Sequence, residues 1–347
     1  MFRRLLANEA LTEVPDSVAQ RENWTWLRRK LQRPAIADQA RMAAWLGLRD
    51  ELRMLDPATL PAVLDVRAPG IWGSSLRRVD FLREFDETGL SLEGLSSTTT
   101  GLCSHYLTCP AGSIANARKV ADFAFDITDI DGIGSSKSQD RYFASVKDFG
   151  LDFSSYKKTS VDEAGLQRML KHREVRIVQP QTTDRVGVRL WDGRLFLYNA
   201  GGSHHFAGAA YIAAQLRRSV PLRARLEVIE LNEGVIDWLL SLFIPFSVPK
   251  GIALKLRQLC ATVLGGAYTL RIPDIVATST AVLLLPAESN SIAAVSDLLL
   301  KAGIQNVRPW FESLVAQQRS NLPVLQQRFP AAFSTVPNAG IASGITV

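Results

Sequence analysis

Cysteine is scarce in this chain: three residues in 347. An odd, small number in a long sequence argues against a disulfide framework and makes a reducing, cytoplasmic setting the expectation. Long apolar runs are also missing. The most apolar stretch, GVIDWLLSLFIPFSVP over 234–249, holds Asp237 and two prolines. It falls short of the roughly 20 residues that a spanning helix needs, so a buried helix or a strand is expected there, in a soluble protein without membrane association. The N-terminal MFRRLLANEALTEVPDS has basic residues but only a stub of apolar ones, unlike a secretory signal. No dense Lys/Arg block occurs. The net charge of +6 arises from 40 basic and 34 acidic residues scattered along the chain, which is compatible with an anionic partner without naming one. There is no internal repeat and no Gly-Lys-Ser/Thr of a P-loop.

The length suffices for one large domain or two ordinary ones, and the pattern divides into four parts. Residues 1–56 read as a helical segment: SVAQRENWTWLRRKLQR (17–33) begins at a Ser17 cap and stops before Pro34, and IADQARMAAWLGLRDELRML (36–55) repeats apolar positions at helical spacing. Residues 57–160 are a loop-rich mixed region. APGIWGSS, LSSTTTGLCS and DIDGIGSSKSQD supply turns and caps, so short strands and helices are expected between them. Residues 161–333 alternate more regularly. VDEAGLQRMLKHR (161–173) reads as a helix and VRIVQP (175–180) as a strand. VGVRL and LFLYN read as a hairpin around Asp192-Gly193, a type I′ signal, followed by an Ala-rich helix to about Arg218 and the strand RLEVIEL (225–231). A helix closed by Gly265-Gly266, the strands AYTLRI and STAVLLLP, a helix ended by Gly303 and the helix WFESLVAQQRSN complete it. Residues 334–347 have the composition of a frayed tail. Interleaved helices and strands predict an α/β or α+β fold.

Histidine is rare as well, with four in the chain, and two are adjacent. In WDGRLFLYNAGGSHHFAGAAYIAAQL (191–216) a strand ends in Gly201-Gly202, and Ser203, His204 and His205 open a helix. The first turn of a helix carries unpaired N–H groups and partial positive charge. Glycines let an anion approach the backbone. Ser203 adds a hydroxyl, and His204 and His205 add donors that can become cationic near neutral pH. The junction therefore reads as an anion site.

GGSHHFAGAAYIA, behind DGRLFLYN and the upstream LKHR and VRIVQP, resembles the signature of the ParB/sulfiredoxin-like superfamily over about residues 160–220. The resemblance implies a mixed-sheet core with a helical N-terminal segment before it and further C-terminal α/β elements after it. It also implies that Gly201, Gly202, Ser203, His204 and His205 hold the phosphates of a nucleoside triphosphate, ATP or CTP, with magnesium. Three departures bear on the chemistry. Ser203 stands where the sulfiredoxin branch has its reactive cysteine, which excludes thiol redox work. It also stands where the ParB branch has a glutamate. His205 replaces an arginine, exchanging a permanent bidentate cation for one that depends on pH. No ParB-type helix-turn-helix region follows.

Other candidate chemistry is weaker. DITDIDGIGSSKSQD offers Asp126, Asp129 and Asp131, of which Asp129 and Asp131 are the expected magnesium carriers, and beyond them a serine-rich loop with Lys137 that can touch a phosphate. Cys103, His105 and Cys109 lie close in sequence, but without the spacing of a zinc motif or a nearby fourth ligand they read as an ordinary loop. Asp162, Glu163 and Glu174 flank the junction as general-base candidates, although acids at a helix start more commonly serve its dipole. Trp24, Trp26 and Trp45 read as core residues rather than base-stacking platforms. The expectation is a cytoplasmic enzyme of phosphate chemistry that hydrolyses a nucleoside triphosphate or transfers its phosphate. Ser203, His204 and His205 would act on the phosphates. The alternatives are a nucleic-acid-associated protein (DNA-binding or nuclease-like), or a partner-binding scaffold without catalysis.

Overall fold

The computed structural model describes residues 38–56, 60, 70–73, 90–98, 101–109, 112–179, 181–270 and 280–333. The expected helix at 17–33, with Trp24 and Trp26, and the 334–347 tail lie outside them. In chain order the elements are α1 (Asp38–Arg53), β1 (Ser91–Thr98), β2 (Gly101–Thr108), β3 (Ala115–Asp126), β4 (Gly132–Ile133), α2 (Val146–Tyr156), α3 (Glu163–Leu170), β5 (Arg185–Arg189) and β6 (Leu195–Tyr198). There follow α4 (Ser203–Leu216), β7 (Pro221–Leu231), α5 (Glu233–Leu242), β8 (Phe243–Pro249), α6 (Lys250–Leu264), β9 (Gly266–Leu270), β10 (Thr280–Pro286), α7 (Ile292–Lys301), β11 (Gln305–Asn306), α8 (Arg308–Arg328) and α9 (Pro330–Phe333).

The strands form two sheets, so the described fold is mixed α/β. One has the order β11-β8-β10-β9-β1-β2 and is antiparallel throughout; the other has the order β3-β7-β5-β6-β4. In the second, β7 pairs antiparallel with β3 and parallel with β5, β5–β6 is an antiparallel hairpin, and β4 runs parallel to β6. The sheets do not follow a division at residue 160: β3 and β4 join the strands after 161, whereas β1 and β2 join those after 242.

Burial explains the layering. Leu195, Leu197, Val186, Val188, Leu226 and Val228 alternate onto one face of the β3–β7 sheet, where α2, α3 and α4 cover them. On the other sheet Leu95, Phe246, Val248, Leu283 and Leu285 face α1, α6 and α7. Between the sheets a third core joins Leu92, Tyr268 and Leu284 to Ala115, Ile229 and Leu231, with α5 and the first half of α8 packed in. The far end of α8 returns to the first core through Leu325. The helix thus belongs to two cores and is pinned between them: Gln318 donates to Leu231 O at 3.0 Å and accepts from Leu231 N at 2.7 Å.

Several expectations need correction. VRIVQP alternates like a strand, yet Arg176–Val178 is a 3-10 turn, because Val175 and Ile177 are both plugged into the core from a non-extended backbone. At Asp192-Gly193 only Gly193 has positive φ, 76°, and both amides bond to Arg189 O. A type I′ turn needs two such residues, so this turn is of another type. The apolar stretch 234–249 is both a helix and a strand: α5, capped by Asn232, passes straight into β8 at Phe243. The region expected to be broken up instead carries two eight-residue strands and a twelve-residue one. Among the described residues no helix is long and apolar enough to cross a membrane.

Candidate functional site

The glycine-histidine junction sits at the end of β6, where the chain must reverse into α4. Asn199 donates from Nδ2 to Gly201 O at 2.6 Å, closing the turn. Gly202 occupies the N-cap with φ 72°, and a side chain there would also collide with the Glu174 carbonyl oxygen, so conformation and space both demand glycine. No side chain caps the first turn of α4. Its start is thus left to its own dipole and to whatever binds it.

A loop from another part of the sequence lies against it. Ser203 Oγ donates to Ser136 Oγ at 3.0 Å, and Ser138 Oγ is 2.9 Å from His204 Nε2; Ser203 Oγ is also 3.4 Å from His204 Nδ1. Three hydroxyls and an imidazole therefore meet at the helix start. Lys137, between the two serines, is exposed and makes no ion pair with a described residue. At the rim Arg141 holds Asp152 by two hydrogen bonds of 2.9 and 2.8 Å.

Helix α2 supplies the wall. Its Gly150 lies so close to α4 that a Cβ would run into the Ala207 carbonyl, and this close approach brings Phe149 and Phe153 onto the histidines. The His204 ring is 4.9 Å from Phe149 and 5.2 Å from Phe153. His205 meets Phe153 edge-on at 5.0 Å and stacks on His172 at 3.5 Å, with the rings within 5° of parallel.

These surroundings set the charge. Burial lowers the His204 pKa, with Lys137 and Arg141 acting in the same direction. Burial, then the neighbouring His172, lowers that of His205 to about 4. Both shifts favour the uncharged rings, against the expectation of near-neutral cations. The positive charge at the helix start comes from Lys137 and the helix dipole, since Arg141 is paired with Asp152.

The other candidates are placed as follows. Asp126 accepts from Thr128 N, Ser219 Oγ and Val220 N, which together hold its carboxyl below the usual range against the opposing effect of burial. Asp129 accepts from Asp126 N at 2.7 Å and pairs with Arg328 at 3.3 Å. Asp131 accepts from Leu195 N, and its burial raises its pKa. Both Asp129 oxygens and Asp131 Oδ2 are thus engaged in the protein's own framework, and no group of three metal-ligating side chains occurs among the described residues. His105 of the cysteine stretch bonds instead to Ser96 Oγ at 3.1 Å and Tyr268 Oη at 3.0 Å, while Cys103 is exposed and Cys109 buried. Asp162 caps α3 through Gly165 N at 2.7 Å, and Glu163 accepts from Gln167. Glu174 contributes its backbone behind Gly202. Trp45 is partly buried against the α1–α6–α7 core.

Sequence reasoning missed Ser136 and Ser138 as partners of Ser203 and His204, and it missed His172 as the partner of His205. Their separations of 67, 66 and 33 positions leave no local trace, although the serine-rich loop reads from sequence as able to reach a phosphate.

Residues 120–324 match the model of a family described as a family of unknown function (DUF6685). No curated protein and no solved structure matches the chain.

Proposed function

Since the chain belongs to the DUF6685 family, whose function is unknown, the site has to speak for itself, and we propose that it binds the phosphates of a nucleoside triphosphate and hydrolyses it or transfers its terminal phosphate. The observation that carries this reading is the convergence of Ser136, Ser138, Ser203 and His204 on an uncapped helix start. Hydroxyls, free amides and a helix dipole together suit a phosphate. The order α3, β5–β6 hairpin, α4, β7, with β7 parallel to β5, supports the ParB/sulfiredoxin-like reading of residues 160–220.

The lowered pKa of His204 gives it a chemical role. A neutral imidazole 2.9 Å from Ser138 Oγ can take the proton of that hydroxyl, or of a water beside it, as the oxygen attacks the terminal phosphorus and the phosphorus–oxygen bond to the nucleoside diphosphate breaks. The diphosphate leaves, and phosphoserine or free phosphate remains. Lys137 and the α4 amides offset the charge that develops on the phosphate. Asp129 and Asp131 do not form a magnesium site in this reading, and no step passes through a metal.

Titration of ATP, CTP and GTP in magnesium buffer tests the reading against a His204→Ala/His205→Ala double variant. The wild type is expected to bind at least one triphosphate and release phosphate, with tenfold or greater loss of affinity in the variant. Equal affinity in both proteins, or none in either, overturns it.

A further inference from the structure

The sheet that carries α4 has a second face. In-register pairing puts Lys119 of β3, Glu227 of β7, Gly187 of β5 and Phe196 of β6 in one row, and Arg225, Arg185 and Tyr198 in the next. This is the side away from α2, α3 and α4, since the alternate residues Val186, Leu197 and Leu226 face those helices. Lys119, Arg185, Arg225 and Glu227 line a cleft of about 160 Å³ there.

The four side chains differ in how they are held. Glu227 is buried, with its carboxylate 3.5 Å from Arg185 Nε. The Arg185 guanidinium lies 5.1 Å from the centre of the Tyr198 ring, and the Tyr198 hydroxyl accepts from Arg189 at 2.6 Å. Arg185 is therefore fixed on two sides. Lys119 and Arg225 are exposed and make no ion pair or side-chain hydrogen bond with a described residue. Arg225 stands opposite Arg185 on the neighbouring strand. Like charges so placed weaken a sheet, and an anion between them removes the penalty.

We propose that this cleft is a second anion site, separate from the α4 start, and that it takes a phosphate monoester bearing a hydroxyl group. Arg185 presents a pre-set planar fork to the phosphate, and Arg225 and Lys119 add charge from the rim. The Glu227 carboxylate, an acceptor only, receives the ligand's hydroxyl. That last contact separates the ligand from a DNA backbone, whose sugars carry no hydroxyl beside the diester phosphates.

Calorimetric titration at fixed ionic strength, with ribose 5-phosphate, inorganic phosphate and a twelve-residue oligothymidylate as probes, tests this. Ribose 5-phosphate is expected to bind the wild type more tightly than inorganic phosphate does. A Lys119→Glu/Arg225→Glu variant should bind it at least tenfold more weakly, and the His204→Ala/His205→Ala variant should bind it unchanged. Both exchanged side chains are exposed; if the double variant fails to fold, Arg225→Gln replaces it, with a loss of threefold or more expected. Any of four results overturns the proposal: no binding of ribose 5-phosphate, undiminished binding by the cleft variant, binding lost only with the two histidines, or preference for the oligothymidylate.

Discussion

At the scale of single residues, the site is governed by burial acting on two imidazoles. The folded-state pKa of His205, about 4, lies below the ordinary histidine value near 6.5. The unfolded chain then binds the proton more readily between those two values. The contribution to stability is complete above about pH 6.5, declines as pH falls towards 4, and changes no further below that. His172 and His204 face the ring and push in the same direction as burial, as does Lys157, while Glu174 opposes them. Melting temperature is expected to fall between pH 7 and 4.5, and His205→Gln should flatten that slope; equal slopes in the two proteins would count against the assignment. Gly202 is the other residue on which the site turns. With φ 72° and the Glu174 carbonyl against its hydrogen, Gly202→Ala should cost about 1–3 kcal/mol and weaken triphosphate binding, measured by denaturant unfolding and titration.

At the scale of elements, local signals were legible and long-range partners were not. α4, its glycine cap and its small residues could be read directly, because cap chemistry and a run of alanines are properties of neighbours in sequence. The helix closed by Gly265, with φ 87°, and the one ended by Gly303, with φ 83°, were legible for the same reason. VRIVQP misled because the demand to bury Val175 and Ile177 overrode an alternating pattern. β1 and β2 went unread because Ser, Thr and Gly mark turns statistically, whereas here SLEGLSST and GLCSHYLT pair along their whole length. α8 runs from Arg308 through Pro323 to Arg328, beyond the expected end at Asn321, and Leu325 of the added stretch is buried in the first core. As for the site, Gly201–His205 could be read, while Ser136, Ser138, Phe149, Phe153 and His172 come from other elements and needed the fold.

For the whole molecule, the central fact is that three apolar cores are linked through the described residues, with the middle one lying between the sheets. Gln318 of α8 closes that link with two buried hydrogen bonds to Leu231. Gln318→Ala leaves two backbone groups in want of partners, at about 1–3 kcal/mol each, a loss of about 2–6 kcal/mol. Calorimetry is expected to show one unfolding peak that moves down without splitting; two separate peaks would mean that the sheets melt independently.

Helix α8 also reaches the 3-10 turn at Ile127–Asp129, which precedes the serine loop in the chain, where Arg328 meets Asp129, and its opposite end sits among Trp310 and Phe311 in the core between the sheets. A rod clamped at both ends conveys strain along its length. Filling the cradle should therefore slow amide exchange in β10 and at the head of α8, far from any atom that the ligand touches.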